Sequence, residues 1–386
     1  MSDTYRGLVL VRYGEIALKG RNRPRFVNRL RQNVSRALRD AGIESVVTKV
    51  ERRIYVATDD PERAAEALTR VFGLTSVSPA LHVPLDLQAI KAVALAELER
   101  AGLSSDCGFR VKARRSDKSF PYTSLEINRE VGGYLKDRSG MRVELSDGAD
   151  FTVGIEVQRD HALVYARVLP GAGGMPVPMS GRVVALISSG LDSPVAAWMM
   201  MKRGSGVIPL HFKQSDEGER RFRQICGVLQ NWSQGWPLKP VVLSHHEAMA
   251  NVCRRLDDER LHRWTCLFCK RTMVRLAQEV ALRHRAGAVV LGDSLGQVAS
   301  QTLENMRIIS AGCELPIFRP LLGFDKVEIM ELARRVGTYD ISAQYAPPCP
   351  FLPEQPLTGG RFDKFLSIRP LIEGTIEHGD AEGAEA

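Results

Sequence analysis

Two groups of residues in this chain are of types that do chemistry. The first is Ser188-Ser189-Gly190-Leu191-Asp192-Ser193, placed where an apolar run over 183–187 ends and a helical pattern over 195–201 begins. Small residues let a backbone close around a phosphate, and a helix N-terminus offers free N–H groups and the positive end of its dipole. Pro194 suits a first helical turn. Ordinary strand–helix turns also favour Ser, Gly and Asp, but here the turn coincides with a strand end and a helix start, which points to phosphate binding. The second group is Cys266-Leu-Phe-Cys269, read as lying just ahead of a helix over 270–284, with Cys349 far downstream in APPCPFLPEQPLT. In a reducing compartment a Cys-x-x-Cys signals metal or redox chemistry rather than a disulfide scaffold.

The elements that must position these residues follow from periodicity. An apolar run at 8–11 reads as a strand, and 24–41 as a helix whose Phe26, Val27, Leu30, Val34, Ala37 and Leu38 share a face. Strands at 45–50 and 54–58, a helix from Asp60-Pro61 to Gly73 and a strand near Val77 complete a β-α-β-β-α-β order, which is ferredoxin-like. A second α/β segment over 85–168 has helices at 87–100 and 125–135 and strands at 109–113, 142–145, 152–157 and 162–168. It carries the basic run Arg110, Lys112, Arg114, Arg115 and Lys118, with Phe109, Phe120 and Tyr122 nearby. Basic groups neutralise phosphates and aromatics stack on bases. The arginines of the first helix, Arg25, Arg29, Arg31, Arg36 and Arg39, read as a solvated face, with a phosphate-contacting surface as the alternative.

PGAGGMPVP at 170–178 reads as a linker. Beyond it, strands at 183–187, 206–212, 241–244 and 288–292 alternate with helices at 195–201, 217–229 and 270–284, the pattern of a doubly wound parallel sheet. The expected domains are therefore 1–75 (ferredoxin-like), 76–169, the 170–178 linker, 179–376 and a disordered acidic tail, 377–386. The 386 residues exceed one ordinary core. No apolar stretch of transmembrane length occurs, and the N-terminus reads as a strand rather than a signal peptide. These features point to a cytoplasmic chain without a membrane partner. The net charge of +8 suits a polyanionic partner without demanding one.

The 188–193 loop resembles the pyrophosphatase loop of N-type ATP pyrophosphatases, usually Ser-Gly-Gly-x-Asp-Ser, with Ser189 replacing the first glycine. Such enzymes split ATP between its α and β phosphates and adenylate an acceptor oxygen. Within that superfamily the chain resembles the tRNA 4-thiouridine synthetase (tRNA uracil 4-sulfurtransferase) family. RYGEIALKG (12–20), LISSGLDSPVAAWMMMKRG (186–204), CKRTMVRLA (269–277), GDSLGQVASQTLENM (292–306) and RPLLGFDKVEIMELA (319–333) carry the resemblance across almost the whole chain. It implies a ferredoxin-like domain, a THUMP RNA-binding domain at 76–169 and an ATP pyrophosphatase domain. It makes the basic run at 110–118 a candidate tRNA surface, with tRNA held mainly by residues 1–168. Some members add a C-terminal rhodanese domain; this chain reads as the short form, so no role in thiazole synthesis is inferred.

The resemblance also implies residue roles. Leu186 and Ile187 at the strand end, with Ser188, Gly190 and Ser193 in the loop, would contact ATP. His211 and Phe212 would lie near the adenine, and Lys270, Gly292 and Gln301 would complete the pocket. Asp192 would organise the magnesium–pyrophosphate end, and Lys326 matches a lysine that assists catalysis. Cys349 matches a functional cysteine that carries or receives sulfur. With Cys266 and Cys269 it resembles the ligand set of a 4Fe-4S cluster in related tRNA thiolases. Three soft thiolates can hold such a cluster and leave one iron open for hydrosulfide. Zinc prefers four ligands, for which His262 is a candidate fourth, and a dithiol or persulfide pair is the third reading. Cys107, Cys226, Cys253 and Cys313 read as small buried residues.

The implied activity converts uridine at position eight of tRNA to 4-thiouridine through an adenylated intermediate. Sulfur would come from sulfide or from a cysteine desulfurase persulfide, and a homodimer is compatible. A 2-thiolating enzyme and an RNA-binding module with a dead nucleotide site are the rivals.

Overall fold

Alternating and helical apolar patterns become two units in the computed structural model, which describes residues 7–50, 53–117, 119–345 and 349–373. The chain divides at Pro176/Val177.

The first unit runs β1 (Gly7–Tyr13), α1 (Arg23–Asp40), β2 (Val46–Val50), β3 (Arg53–Thr58), α2 (Pro61–Leu68), β4 (Leu74–Val83), α3 (Leu87–Arg100), β5 (Gly108–Arg115), α4 (Ser124–Ser139), β6 (Arg142–Val143), β7 (Phe151–Val157), β8 (Ala162–Tyr165) and β9 (Leu169–Pro170). Its strands follow the order β2-β3-β1-β4-β8-β7-β5-β6, with β9 also on β4. The early half is antiparallel around β1, and β5 pairs in parallel with β6 and β7. β4 belongs to both halves, because Leu8 pairs with Ala80 while Leu81 pairs with Val164. The helix that was expected to reach Gly73 ends at Leu68, since Val71 to Leu74 turn directly into β4.

Arg12, the first residue of the RYGE motif, is mostly buried. Its guanidinium meets the Glu156 carboxylate at 3.3 Å and the Ser78 hydroxyl at 2.9 Å, and it lies over the Tyr165 ring at 4.6 Å. Arg53 reaches the same carboxylate at 3.4 Å. A buried carboxylate needs such partners to stay charged. The basic run on β5 splits by role. Arg110 is tied to Asp147 and Thr152, and Arg115 to the carbonyls of Phe120 and Tyr122. Lys112 and Arg114 are exposed two residues apart, hence on one face of the strand. Lys118 and the tail at 377–386 lie outside the described residues.

The second unit runs β10 (Arg182–Leu186), α5 (Asp192–Lys202), β11 (Gly206–Lys213), α6 (Asp216–Gln230), β12 (Val241–Ser244), α7 (His245–Asp258), α8 (Thr265–Arg283), β13 (Val289–Val290), α9 (Leu303–Ser310), β14 (Ile317–Phe318), α10 (Lys326–Val336), α11 (Tyr339–Ser342) and α12 (Phe362–Glu373). Its sheet is parallel in the order β12-β11-β10-β13-β14. β10 is central, and the chain winds one way to β11 and the other way to β13. Open parallel sheets bind ligands outside the strand ends at such a switch point. Val184, Leu210, Met249, Val274, Val289 and Phe365 pack in one core between the sheet and its helices. Arg271 of α8 is buried and bonds Glu373 of α12 and the carbonyls of Ile308 and Ala311, which fixes α8 against α9 and α12.

Cys226 of α6 is sealed in the core, and burial pushes its thiol up to about 12. A folded pKa above the unfolded one means that the unfolded chain sheds the proton first. Stability is therefore whole below pH 9 and falls as pH rises from 9 towards about 12. The slope is about 1.4 kcal/mol per pH unit for one such thiol. Cys226→Ala is expected to flatten thermal melts recorded across pH 9–11 by that share; an unchanged slope would remove Cys226 as the cause.

Candidate active site

The cavity at the C-terminal ends of β10 and β11 has a volume of about 400 Å³. Leu186, Ile187, Ser188, Gly190, Asp192, Ser193, His211, Phe212, Lys270, Gly292 and Gln301 all line it. The loop that forms its floor is built by its own hydroxyls. Ser188 N–H donates to Ser193 Oγ at 2.9 Å, the two Oγ atoms lie 3.1 Å apart, and Gly190 N–H donates to Ser188 Oγ at 3.2 Å. Helices α6, α7, α9 and α10 have their N-termini capped by Ser215, Ser244, Thr302 and Asp325. Helix α5 starts after Leu191 with no side-chain cap, so its first-turn N–H groups face the cavity end of the sheet. Ser189 is not among the described non-glycine residues with left-handed torsion, which are Arg260 and Arg285, so serine fits this loop position without that strain.

Gly292 is required by close approach. A methyl there would sit 2.7 Å from the backbone N and Cα of Ser193. Gly292→Ala is expected to displace the start of α5 and to weaken ATP binding at least tenfold in equilibrium titration, while leaving a cooperative melt. Unchanged ATP affinity would contradict this packing.

Charges at the rim are paired across elements. Lys326, the first residue of α10, reaches Asp192 Oδ1 at 2.6 Å, and Gln297 Nε2 lies 3.4 Å from Oδ2. Lys326 does not line the cavity itself but bears on Asp192. Lys270 bonds the buried carboxylate of Asp293, which Arg319 also holds at 3.0 Å. His211 is buried, stacked on Phe222 at 4.7 Å, with Nδ1 2.8 Å from the Ile187 carbonyl. Burial lowers its pKa, so the ring is neutral at physiological pH. Its Nε2 and the Oε1 of Gln301 are buried atoms with no hydrogen-bond partner among the described residues. Such atoms carry a desolvation cost that a bound ligand can relieve.

The cysteines do not line the cavity but lie beside residues that do, His245, Lys270 and Pro350. Cys266 and Cys269 are not ahead of the helix but within it: a 3-10 turn at His262–Trp264 starts α8 at Thr265, so the two thiols stand one turn apart on a single face. Cys349 receives Gln214 Nε2 at 3.7 Å, and its neighbour Pro350 lines the cavity. Arg221, buried on α6, donates to the carbonyls of Gln344 and Tyr345 and so holds the segment leading to Cys349. Burial, then the neighbouring Cys349, Cys266 and Cys253 sulfurs, push the Cys269 thiol up to about 12, against a small opposing effect of Lys270. Burial and Cys349 raise Cys266 as well. Cys253, read from sequence as an isolated core residue, belongs to this neighbourhood. His262 pairs with Asp257 at 2.7 Å and is well exposed, so Nδ1 of its imidazole is already engaged by a carboxylate. Among the described residues no three His, Cys, Asp or Glu side chains converge on a point that one metal ion could occupy.

Sequence reasoning missed Gln214, Asp293 and His245. His245, at the start of α7, lines the cavity with Nε2 3.2 Å from Cys269 Sγ. The pair His245-His246 directly after the β12 strand was its one visible signal. No helix of the described chain is long and apolar enough to cross a membrane.

Comparison with known proteins agrees with this architecture. Residues 8–78 match the ThiI ferredoxin-like domain, 85–167 the THUMP domain and 178–369 the family described as thiamine biosynthesis protein (ThiI). A probable tRNA sulfurtransferase of Moorella thermoacetica is 42% identical over 385 residues, covering 96% of this chain and 96% of that protein. One of Thermococcus kodakarensis is 39% identical over 374 residues, covering 95% and 97%. A crystal structure of a 4-thiouridine synthetase–RNA complex with bound ATP superposes with a TM-score of 0.84 at 31% identity, covering 95% of this chain and 94% of that one. With a ferredoxin-like domain, a THUMP domain and a pyrophosphatase-type parallel sheet in this order, the chain belongs to the tRNA sulfurtransferase family.

Proposed function

We propose that this enzyme converts a tRNA uridine, at position eight, to 4-thiouridine by adenylation followed by sulfur transfer. One observation carries the reading: the cavity that holds the uncapped start of α5 and Asp192 is also lined by His245, 3.2 Å from the Cys269 sulfur, and by Pro350, the neighbour of Cys349.

The uncapped first turn of α5 and the loop N–H groups hold the ATP phosphates and stabilise charge on departing pyrophosphate. His211 Nε2 and Gln301 Oε1, both buried without a partner among the described residues, accept from the base or ribose. The half-buried carboxylate of Asp192 offers the hard oxygen that magnesium takes, and Lys326 orients it. The C4 oxygen of uridine attacks the α-phosphate, the N3 proton leaves, and pyrophosphate departs. Hydrosulfide then adds at C4 and AMP leaves, carrying the original oxygen. The target base must be unstacked to enter the cavity. Residues 1–75 and 76–169 are the proposed tRNA-holding domains, with Lys112 and Arg114 as exposed contacts.

Cys266, Cys269 and Cys349 would hold a 4Fe-4S cluster. Cys266 and Cys269 stand one turn apart on α8, Cys349 lies close enough to bear on both, and such soft thiolate donors are the ligands a cluster takes. When bound, it supplies an open iron that takes sulfide. A persulfide relay is the second reading, favoured by the several sulfurs around Cys349 that could resolve it. Nucleoside mass analysis after reaction of oxygen-free enzyme with ATP, sulfide and unmodified tRNA is expected to yield 4-thiouridine. Finding 2-thiouridine, or no thiolation with no pyrophosphate released, would overturn the reading.

A further inference from the structure

A second cavity of about 260 Å³ lies in the same unit; it shares no lining residue with the ATP cavity, and no step of the proposed reaction uses it. Arg260, Arg263, Arg361 and Lys364 line it, with the buried ring of Trp264 and Leu357 as its apolar wall. Its walls are two chain segments. One runs from Arg260 into the turn that starts α8 and its Cys266; the other follows Cys349 and leads into α12. Leu357 N–H donates to the Arg263 carbonyl at 3.2 Å and joins them.

The charges are arranged for an external anion. Arg361 alone is matched, by Asp363 at 2.5 Å. Arg263 makes one long bond to the Gln355 carbonyl at 3.4 Å. Arg260 and Lys364 have no side-chain partner among the described residues. Arg260 also has a φ of 57°, in the left-handed region where glycine or asparagine sits more easily. Arg260 thus stands at a strained position among the residues that line the basic cavity. The ligand chemistry is a single phosphate group: two guanidinium forks and an ammonium match its oxygens, and the concave shape suits a compact anion rather than a flat protein surface.

We propose that this cavity grips one phosphodiester of the tRNA backbone and so registers the substrate against the cysteine-bearing segments. The proposal rests on the reading above that tRNA is the substrate. Basic grips of this kind fix register rather than sequence.

The test uses the full chain with the substitutions Arg260→Asn, which tolerates the left-handed torsion, and Lys364→Gln, singly and together. Affinity for unmodified tRNA is measured across salt concentrations, with ATP affinity and melting temperature as controls. The double variant is expected to bind tRNA roughly tenfold more weakly and to lose about one to two charges from the slope of log affinity against log salt. ATP affinity and melting temperature should stay at the wild-type values. Unchanged tRNA affinity and slope, with wild type binding tRNA normally, would overturn the phosphate grip while leaving the thiolation reading intact. Failure of wild type itself to bind tRNA would instead strike that reading. Tight binding of inorganic phosphate that the double variant loses, with tRNA affinity unchanged, would make the cavity a free-anion site. Unchanged tRNA affinity with turnover lost only when a protein sulfur donor replaces free sulfide would hand it to a protein partner.

Discussion

Asp192→Ala is expected to lower tRNA-dependent pyrophosphate release by about three orders of magnitude, the usual scale for losing a preorganised charge at a phosphoryl site. The fold should survive. Asp192 and Lys326 are both partly exposed, at 21% and 43%, and an ion pair of that kind contributes little to stability. The loop is held instead by the Ser188–Ser193 hydrogen bonds, which the substitution leaves in place. Asp192→Asn separates charge from shape: it can still accept from Lys326 but offers no carboxylate to a cation. The asparagine variant should therefore track alanine rather than wild type. Normal adenylation by either variant would place the pyrophosphate end of ATP elsewhere.

Cys269→Ala is expected to abolish iron binding and thiolation together while sparing adenylation. Cys269 sits among Cys349, Cys266 and Cys253. Losing one of three ligands leaves two, too few to retain a cluster. Cys349→Ala should behave in the same way, although its loop is held through Arg221 and Gln214 rather than by a helix. Iron content and visible absorbance after oxygen-free purification, read beside pyrophosphate release, separate the outcomes. Full thiolation by an iron-free preparation supplied with sulfide would discard the cluster and leave free sulfide as the nucleophile, whereas full thiolation by the iron-free preparation with a cysteine desulfurase persulfide as donor would favour the persulfide relay.

The ATP-facing half of the site was legible because its chemistry is local. Strand, small-residue loop and helix start fall within a dozen residues, and Ser188, Asp192 and Ser193 are read directly from that run. Most elements followed from periodicity, including the exact span of β12 and of α3. What was not legible depends on residues far apart in sequence. The start of α8 at Thr265 was hidden because Arg263, Trp264 and Thr265 show no capping signature; a 3-10 turn starts the helix instead. The contact of His245 with Cys269 and the pairing of Lys270 and Arg319 on Asp293 arise only when β12, β13 and α8 are brought together. Likewise, the joint role of β4 in both halves of the first unit needs its ten-residue length, which a single apolar position at Val77 does not reveal.

The central claim is that the C4 oxygen of uridine is activated on AMP in the cavity at the end of β10. The direct measurement is one turnover with tRNA carrying oxygen-18 at C4 of the target uridine. The AMP formed should contain one oxygen-18 atom in its phosphate, and the tRNA should gain sulfur in equal amount. Unlabelled AMP alongside thiolated tRNA, or ADP and phosphate as the products, would contradict it.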